Sequence, residues 1–268
     1  MQISEATFAA VADLFHRESG IRFGPDKKIL VAGRLSRLAI ESGATSIEEY
    51  VAALARSRDP EMLTRIVDRL TTNETYFFRE PRHFDHLATV AAAARGRRAV
   101  RVWSAASSSG EEAYSAAMVL ADVMGLQGWE VVGTDLSSAM VLAAQLGLYP
   151  LERAAGIPAR YLERFCRKGS GPYEGQMLVG RELRVIVQFA RGNLLQPQPA
   201  LGLFDVIFLR NVLIYFDTAR KAQIVANVVA HLAPGGVLYV GHAETLRGLP
   251  GAAGELRQAQ PAIYQREE

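Results

Sequence analysis

Residues 99–112 read Ala-Val-Arg-Val-Trp-Ser-Ala-Ala-Ser-Ser-Ser-Gly-Glu-Glu, and the fold turns on how that stretch is parsed. Ala99–Trp103 is a short β-rich run, Glu111–Met124 has helical character, and only Ser, Ala and Gly lie between Trp103 and Glu111. Small residues at a strand-to-helix turn let a bulky ligand approach the backbone, and the helix that follows offers free N–H groups. Three more β-rich runs follow, Trp129–Gly133, Phe204–Leu209 and Gly236–Gly241, interleaved with helical stretches Ser137–Leu146 and Thr218–Leu232. Strands alternating with helices predict an α/β domain on an open, mostly parallel sheet, which binds ligands beyond the carboxyl ends of its strands. Gly175–Val179 and Glu182–Phe189, on either side of Gly180-Arg181, break the rhythm. They predict an antiparallel hairpin inserted before Asn193, a small β-subdomain over about residues 170–191.

Upstream the pattern is helical. Ser4 caps a helix with Phe8, Val11, Ala12 and Phe15 apolar, ending at Gly20. Pro25 opens a second, with Ile29, Leu30, Leu35 and Leu38 apolar and Gly43 as its stop. Ser46 and Glu49 form a capping box before the third, and Asp59-Pro60 opens the fourth. The expected division is a helical domain over residues 1–80, a linking stretch at about 71–97, and the α/β domain over 98–268.

The 268 residues are 49% apolar and 22% charged, ordinary globular usage, which excludes a disordered or collagen-like chain. The single cysteine, Cys166, excludes an internal disulfide framework and a Cys-rich zinc site, and no metal is expected. MQISEATF lacks the basic and apolar segments of a secretory signal, and no apolar run reaches membrane-spanning length, so a cytoplasmic chain is expected. A net charge of +2 is too small to predict nucleic acid or membrane as a bulk partner.

Four places carry chemistry. The turn at 104–110 lacks the Gly-x-Gly-x-x-Gly of a dinucleotide site, and Glu111-Glu112 would repel a phosphate while suiting a cationic group; they also complement the helix dipole. Asp135, ending the second strand, stands where a carboxylate grips a ribose diol, although Asp is equally an ordinary helix cap. Together these favour a nucleoside with a cationic end, and S-adenosylmethionine fits. The segment 71–80, TTNETYFFRE, sets polar hydrogen-bonders beside three aromatics and then Arg79. Arg210 and Asn211 follow the strand Phe204–Leu209 and face the same crevice, with Tyr215 close behind.

LTTNETYFFRE (70–80), VWSAASSSGEEA (102–113), GTDL (133–136), GNLL (192–195), FDVIFLRNVLIYFD (204–217) and GHAE (241–244) resemble the chemotaxis receptor methyltransferase (CheR) family, in order and over nearly the whole chain. The resemblance implies an N-terminal all-α domain and a Rossmann-like S-adenosylmethionine domain with a small inserted β-subdomain. It implies methyl esterification of glutamate side chains on the cytoplasmic methylation region of chemoreceptors, with S-adenosylhomocysteine as product. Cofactor contacts then fall on Asn73, Thr75, Arg79, Asp135, Asn193, Leu194, Arg210, Asn211 and either Glu111 or Glu112, with Glu112 favoured. Arg79 and Tyr215 match the positions that orient the reaction; whether Arg79 holds substrate or cofactor stays open. Some members of the family dock a receptor C-terminal peptide on the β-subdomain and some do not. A monomer is expected.

The chemistry agrees with that implication. A glutamate carboxylate is already an anion at neutral pH and needs no general base, and none stands out in the motifs. Between His16 and Ile40 six bases (Arg17, Arg22, Lys27, Lys28, Arg34, Arg37) face two acids, and Lys27, Arg34 and Arg37 fall within reach of one helical face. That face is expected to meet a Glu-rich receptor segment. The alternatives are a methyltransferase of a small carboxylic acid, which needs neither helical module nor basic helix, and a non-catalytic receptor adaptor. A nicotinamide-dependent oxidoreductase is disfavoured for want of the glycine fingerprint.

Overall fold

A computed structural model of the chain describes residues 1–57 and 59–267, which divide into two compact units. Met1–Thr72 and Leu136–Ser138 make up the first, Asn73–Asp135 and Ala139–Glu268 the second.

The first unit is built on α1 (Glu5–Ser19), α2 (Lys28–Glu41), α3 (Ile47–Ser57) and α4 (Pro60–Leu70). Ser4 Oγ accepts the Thr7 N–H at 3.2 Å, and Gly20 ends α1 in the left-handed region, where a Cβ is penalised. Ser46 Oγ accepts the Glu49 N–H at 3.0 Å, while the Glu49 carboxylate takes the Thr45 N–H at 2.7 Å, one residue earlier than a standard box. Val31, Leu35, Leu38 and Ala39 form the buried stripe of α2. The expected face, with Ile29 and Leu30, is therefore rotated: at 100° per residue Ile29 points opposite Val31 and Leu35, and it is 87% exposed. Arg34 is drawn into structure as well. Its Nη1 donates to the carbonyls of Leu70 and Thr71 at 2.6 and 3.1 Å, closing the C-terminus of α4.

The second unit holds a seven-stranded sheet. Its strands are β1 (Val100–Ala105), β2 (Trp129–Asp135), β6 (Gln188–Arg191), β7 (Phe204–Leu209), β8 (Leu232–Val240), β9 (Leu256–Gln260) and β10 (Ile263–Arg266), in the order β6-β2-β1-β7-β8-β10-β9. The five strands from β6 to β8 run parallel, and β10 and β9 add an antiparallel edge. Both faces are buried, with period-two sorting: Val100, Val102, Val131, Val206 and Phe208 enter one core, Trp103, Val132, Ile207 and Leu209 the other. The first core takes in α5 (Arg82–Ala94) and the Ala-rich α6 (Glu111–Met124); the second is covered by α10 (Thr218–Val229). Residues 73–97, read from sequence as largely linker, thus belong to this unit. Phe84, Leu87, Ala91 and Ala94 bury one face of α5 against it.

The hairpin expected over 175–189 does not form. β5 (Gln176–Val179) lies between β3 (Leu148–Pro150) and β4 (Cys166–Lys168) in a separate three-stranded antiparallel sheet, reached through α7 (Ser138–Leu146) and flanked by α8 (Ala159–Phe165). The small sheet therefore draws on residues 148–179. Gly180 has φ −57°, not the positive φ of a two-residue hairpin turn, and Arg181–Arg184 coils into the short helix α9. β6 then joins the main sheet parallel to β2, with Phe189 opposite Gly133. A Cβ on Gly133 would stand 2.6 Å from the Phe189 ring, so the ring fills the space that the glycine leaves.

Candidate active site

β1 is the strand at which the order reverses: the chain goes to β2 on one side and to β7 on the other. Ligands of such sheets sit beyond that switch. The turn after β1 is built for close approach. Ala106 and Ser108 have φ 79° and 49°, and Gly110 has φ 95°. The Ala106 and Ser107 N–H groups donate to the Thr134 carbonyl at 2.9 and 2.8 Å, tying the turn to β2. Ser108 N–H donates to Asp135 Oδ2 at 2.9 Å, and its hydroxyl to the Asn73 carbonyl at 3.1 Å. Asn73, the turn and Asp135 are thereby brought together. Gly192 N–H donates to the Asp135 carbonyl at 2.9 Å, which brings Asn193 and Leu194 to the neighbouring strand end. Asn193 Oδ1 accepts the Leu195 N–H, and the Leu194 carbonyl accepts from Asn227.

The two glutamates after the turn have different fates. Glu111 is fully buried and is held by the Ser109 hydroxyl at 2.7 Å and by the Arg153 guanidinium. Arg153 also reaches the Thr75 carbonyl at 3.3 Å. Glu111 is thus consumed inside the fold by Ser109 and Arg153. Glu112 points toward them: Oε1 accepts the Ser104 hydroxyl at 2.7 Å, and Oε2 lies 3.1 Å from Arg210 Nη1.

Arg210 follows β7, and its side chain is only 1% exposed. Nη2 faces Glu80 Oε2 at 3.1 Å and also donates to the Arg79 carbonyl. The guanidinium lies over the rings of Phe84 and Phe208, 5.7 and 5.8 Å from their centroids. Burial pushes the Glu112 carboxyl above its ordinary range, opposed by Arg210. Burial also acts to raise Glu80, but Arg210 and the His242 N–H outweigh it and hold that carboxyl below its ordinary range. Expected from sequence to face the crevice, Arg210 instead forms the centre of a buried ion triad. Arg79 is half-buried; its Nη1 donates to the Glu74 carbonyl at 3.2 Å, its guanidinium lies 5.6 Å from the Tyr76 centroid, and its charge reaches Glu112.

Two residues given no role by the sequence reading organise the rest. Glu80, with φ 57°, accepts the Asn211 side-chain amide at 3.4 Å and the His242 N–H at 3.2 Å. Glu244 accepts the backbone N–H groups of Asn211, Leu213 and Gly241 at 2.7 Å each and of Ile214 at 3.3 Å. This single carboxylate fastens the ends of β7 and β8 together and holds the 3₁₀ turn Leu213–Tyr215 through the Leu213 and Ile214 N–H groups. Phe78, Glu80, Ala106, Ser108 and Asn211 account for five of the six non-glycine positive-φ residues among those described. Such backbone strain gathers at functional sites.

Two family models match: residues 73–260 that of "CheR methyltransferase, SAM binding domain", residues 6–71 that of "CheR methyltransferase, all-alpha domain". The chain belongs to the CheR methyltransferase family. It is 37% identical over 252 residues to the chemotaxis protein methyltransferase of Escherichia coli (strain K12), covering 93% of this chain and 87% of that one. To chemotaxis protein methyltransferase 2 of Pseudomonas aeruginosa it is 39% identical over 241 residues, covering 88% and 85%. It is an S-adenosylmethionine-binding methyltransferase of the chemotaxis type, on a Rossmann-like sheet preceded by an all-α domain. Among the described residues no helix is long and apolar enough to cross a membrane.

The residues of the crevice fit this cofactor. The Ser107 hydroxyl is buried at the base of the turn with no hydrogen-bond partner among the described residues, a group that a ligand can satisfy. A Cβ at Gly133 would also press on that hydroxyl at 2.9 Å, so the glycine keeps the place clear. The carboxylates of Asp135, at the end of β2, and Glu112, in the first turn of α6 after β1, suit hydroxyls and a cationic amino-acid end rather than a phosphate.

Proposed function

We propose that this CheR methyltransferase transfers the methyl group of S-adenosylmethionine to glutamate side chains in the cytoplasmic methylation region of chemoreceptors, giving methyl esters. The observation that carries the reading is the division of labour between two arginines. Arg210 is consumed by Glu80 and Glu112, whereas Arg79, beside the same strand ends, donates to the backbone carbonyl of Glu74. Arg79 is the cation that meets an incoming carboxylate.

When bound, the cofactor supplies an electrophilic methyl on a sulfonium. Asp135 holds its ribose hydroxyls, Glu112 its cationic end, and Asn73, Thr75, Asn193, Leu194 and Asn211 line the remainder; Glu111, paired to Arg153, supports the turn. The Tyr215 hydroxyl donates to one oxygen of the substrate carboxylate and leaves the other to attack. Such positioning is worth on the order of 7–11 kcal/mol in favourable cases. The carboxylate is an anion at neutral pH, so no residue need accept a proton.

Lys27, at the N-cap of α2, and Arg37, on α2, are both exposed and are the receptor-facing charges, and Arg34 supports them from within the fold. Any receptor C-terminal peptide belongs on the sheet β3-β5-β4.

The deciding experiment follows labelled methyl from S-adenosylmethionine into receptor cytoplasmic fragments and into free carboxylic acids. Base-labile label in the fragments alone supports the reading. Label in free acids alone replaces it by a small-acid methyltransferase, and fragment binding without transfer replaces it by an adaptor.

A further inference from the structure

We propose that Glu80, His83 and His242 form a binding site for a borderline transition-metal dication of the Zn²⁺ class, and that the ion competes with Arg210 for Glu80. His83 Nδ1 lies 3.5 Å and His242 Nε2 3.8 Å from Glu80 Oε2, and one ligand atom from each residue falls within 4.8 Å of the others. Nitrogen and oxygen donors at about 2.0–2.2 Å from a tetrahedral ion stand roughly 3.3–3.5 Å apart. The cluster is therefore within a short contraction of a metal site, and His242, 55% exposed, has room to move inward and gives the ion a path from solvent.

A second observation points to a missing partner. The His83 side chain is 1% exposed, yet neither of its ring nitrogens has a hydrogen-bond partner among the described residues. Beside it, Glu80 Oε2 is ion-paired with Arg210 at 3.1 Å and faces both imidazoles. Buried polar atoms left this way cost free energy unless something satisfies them. The His83 ring is fixed by stacking on Tyr239 at 4.9 Å, which aims its edge at Glu80. Imidazole and carboxylate donors select Zn²⁺-like ions over Mg²⁺ or Ca²⁺, and such a site needs no cysteine. Arg210 opposes the ion, but Glu80 and Glu112 together offset one positive charge more than Arg210 carries. Occupancy draws Glu80 away from Arg210, leaves Glu112 as its sole carboxylate partner, and so disturbs the crevice.

The test is a Co²⁺ titration of the untagged full chain read by visible absorption, with Zn²⁺ displacement followed by calorimetry. The expected result is one Co²⁺ per chain with the intense bands of a four-coordinate ion, displaced stoichiometrically by Zn²⁺. His242→Ala, at an exposed position, should weaken binding at least tenfold with an unchanged melting curve, and His83→Gln should do the same. Absence of these bands, or equal affinity in His242→Ala, overturns the proposal and leaves His83 as a buried neighbour of Glu80. The optical readout does not depend on methyl transfer, so it stands apart from the functional reading. In a transfer assay Zn²⁺ should inhibit the native chain more than His242→Ala.

Discussion

Arg210 Nη1 stands 3.1 Å from Glu112 Oε2, and this contact joins the end of β7 to the first turn of α6. Glu80, from the segment before α5, closes the triad on the other side of the guanidinium at 3.1 Å. Three stretches far apart in sequence are thus pinned at the strand ends by one buried cation. A buried pair contributes little net stability against a well-packed apolar replacement, but a buried charge stripped of its partner is costly.

Arg210→Met should therefore be damaging, because Glu80 and Glu112 remain as buried carboxylates without their cation. The expected loss is about 3–5 kcal/mol, read from urea midpoints. Adding Glu112→Gln to Arg210→Met should recover part of that loss. Strict additivity of the two substitutions would show that the pair is not coupled.

Asp135→Ala should weaken S-adenosylmethionine binding by roughly ten- to hundredfold, the worth of hydrogen bonds to a charged group at about 1.5–3 kcal/mol. The same carboxylate anchors the Ser108 N–H, so the melting temperature should fall as well. Calorimetry settles the role: unchanged affinity in the folded variant leaves Asp135 as an anchor of the turn alone.

The sheet was legible in the sequence because β1, β2, β7 and β8 are β-rich runs separated by helical stretches of fitting length. So were the helix starts, since Ser4 and Asp59 cap N–H groups only two or three residues on with their side-chain oxygens and Pro25 fixes its own backbone. What escaped depends on contacts far along the chain. Nothing local to Gly180-Arg181 says that Phe189 will fill the space over Gly133 and pull β6 into the main sheet. Glu80 and Glu244 stand in their motifs without a local signal of a role, because a carboxylate that gathers donors from two strand ends looks in sequence like any acid in a loop. Glu111 and Glu112 were separable only by helix direction, which one hundred degrees of turn decides.

Charge reversal at the N-cap and on the exposed face of α2 should distinguish steering from folding. Lys27→Glu with Arg37→Glu should slow methylation of a receptor fragment and leave cofactor affinity unchanged, since both side chains are exposed. The defect should shrink as salt rises, because exposed charges are screened over about 8–10 Å at 0.1–0.15 M. Arg34→Ala should behave differently: it opens the end of α4 and lowers the melting temperature at any salt. Equal damage from Lys27→Glu/Arg37→Glu at low and high salt would remove the steering role.

Acid should destabilise the second unit through His86, whose Nδ1 lies 2.8 Å from the Tyr239 hydroxyl. Burial lowers its pKa from the ordinary 6.5. The unfolded chain then binds the proton more readily than the folded one. The stability this neutral ring contributes is present above pH 6.5 and is lost as pH falls below it toward the depressed folded value. One such group gives a slope of at most about 1.4 kcal/mol per pH unit. Denaturant midpoints between pH 7 and 5 should fall less steeply in His86→Gln; identical slopes would clear His86 of the effect.

Tyr215→Phe should separate catalysis from binding. The ring sits half-buried in the 3₁₀ turn that Glu244 holds through the Leu213 and Ile214 N–H groups, so phenylalanine keeps its packing and only the hydroxyl is lost. If that hydroxyl orients the attacking carboxylate, its contact matters most in the transition state, and kcat falls while cofactor affinity holds. One hydrogen bond to a charged group is worth about 1.5–3 kcal/mol, or roughly ten- to hundredfold in rate. Glu244→Gln should produce a related defect by a different route, since an amide offers one acceptor oxygen where four N–H groups now converge on two. The turn then loosens, and kcat should fall together with the melting temperature. A Tyr215→Phe enzyme with full turnover on receptor fragments would withdraw the hydroxyl from the reaction and leave Arg79 alone beside the incoming carboxylate.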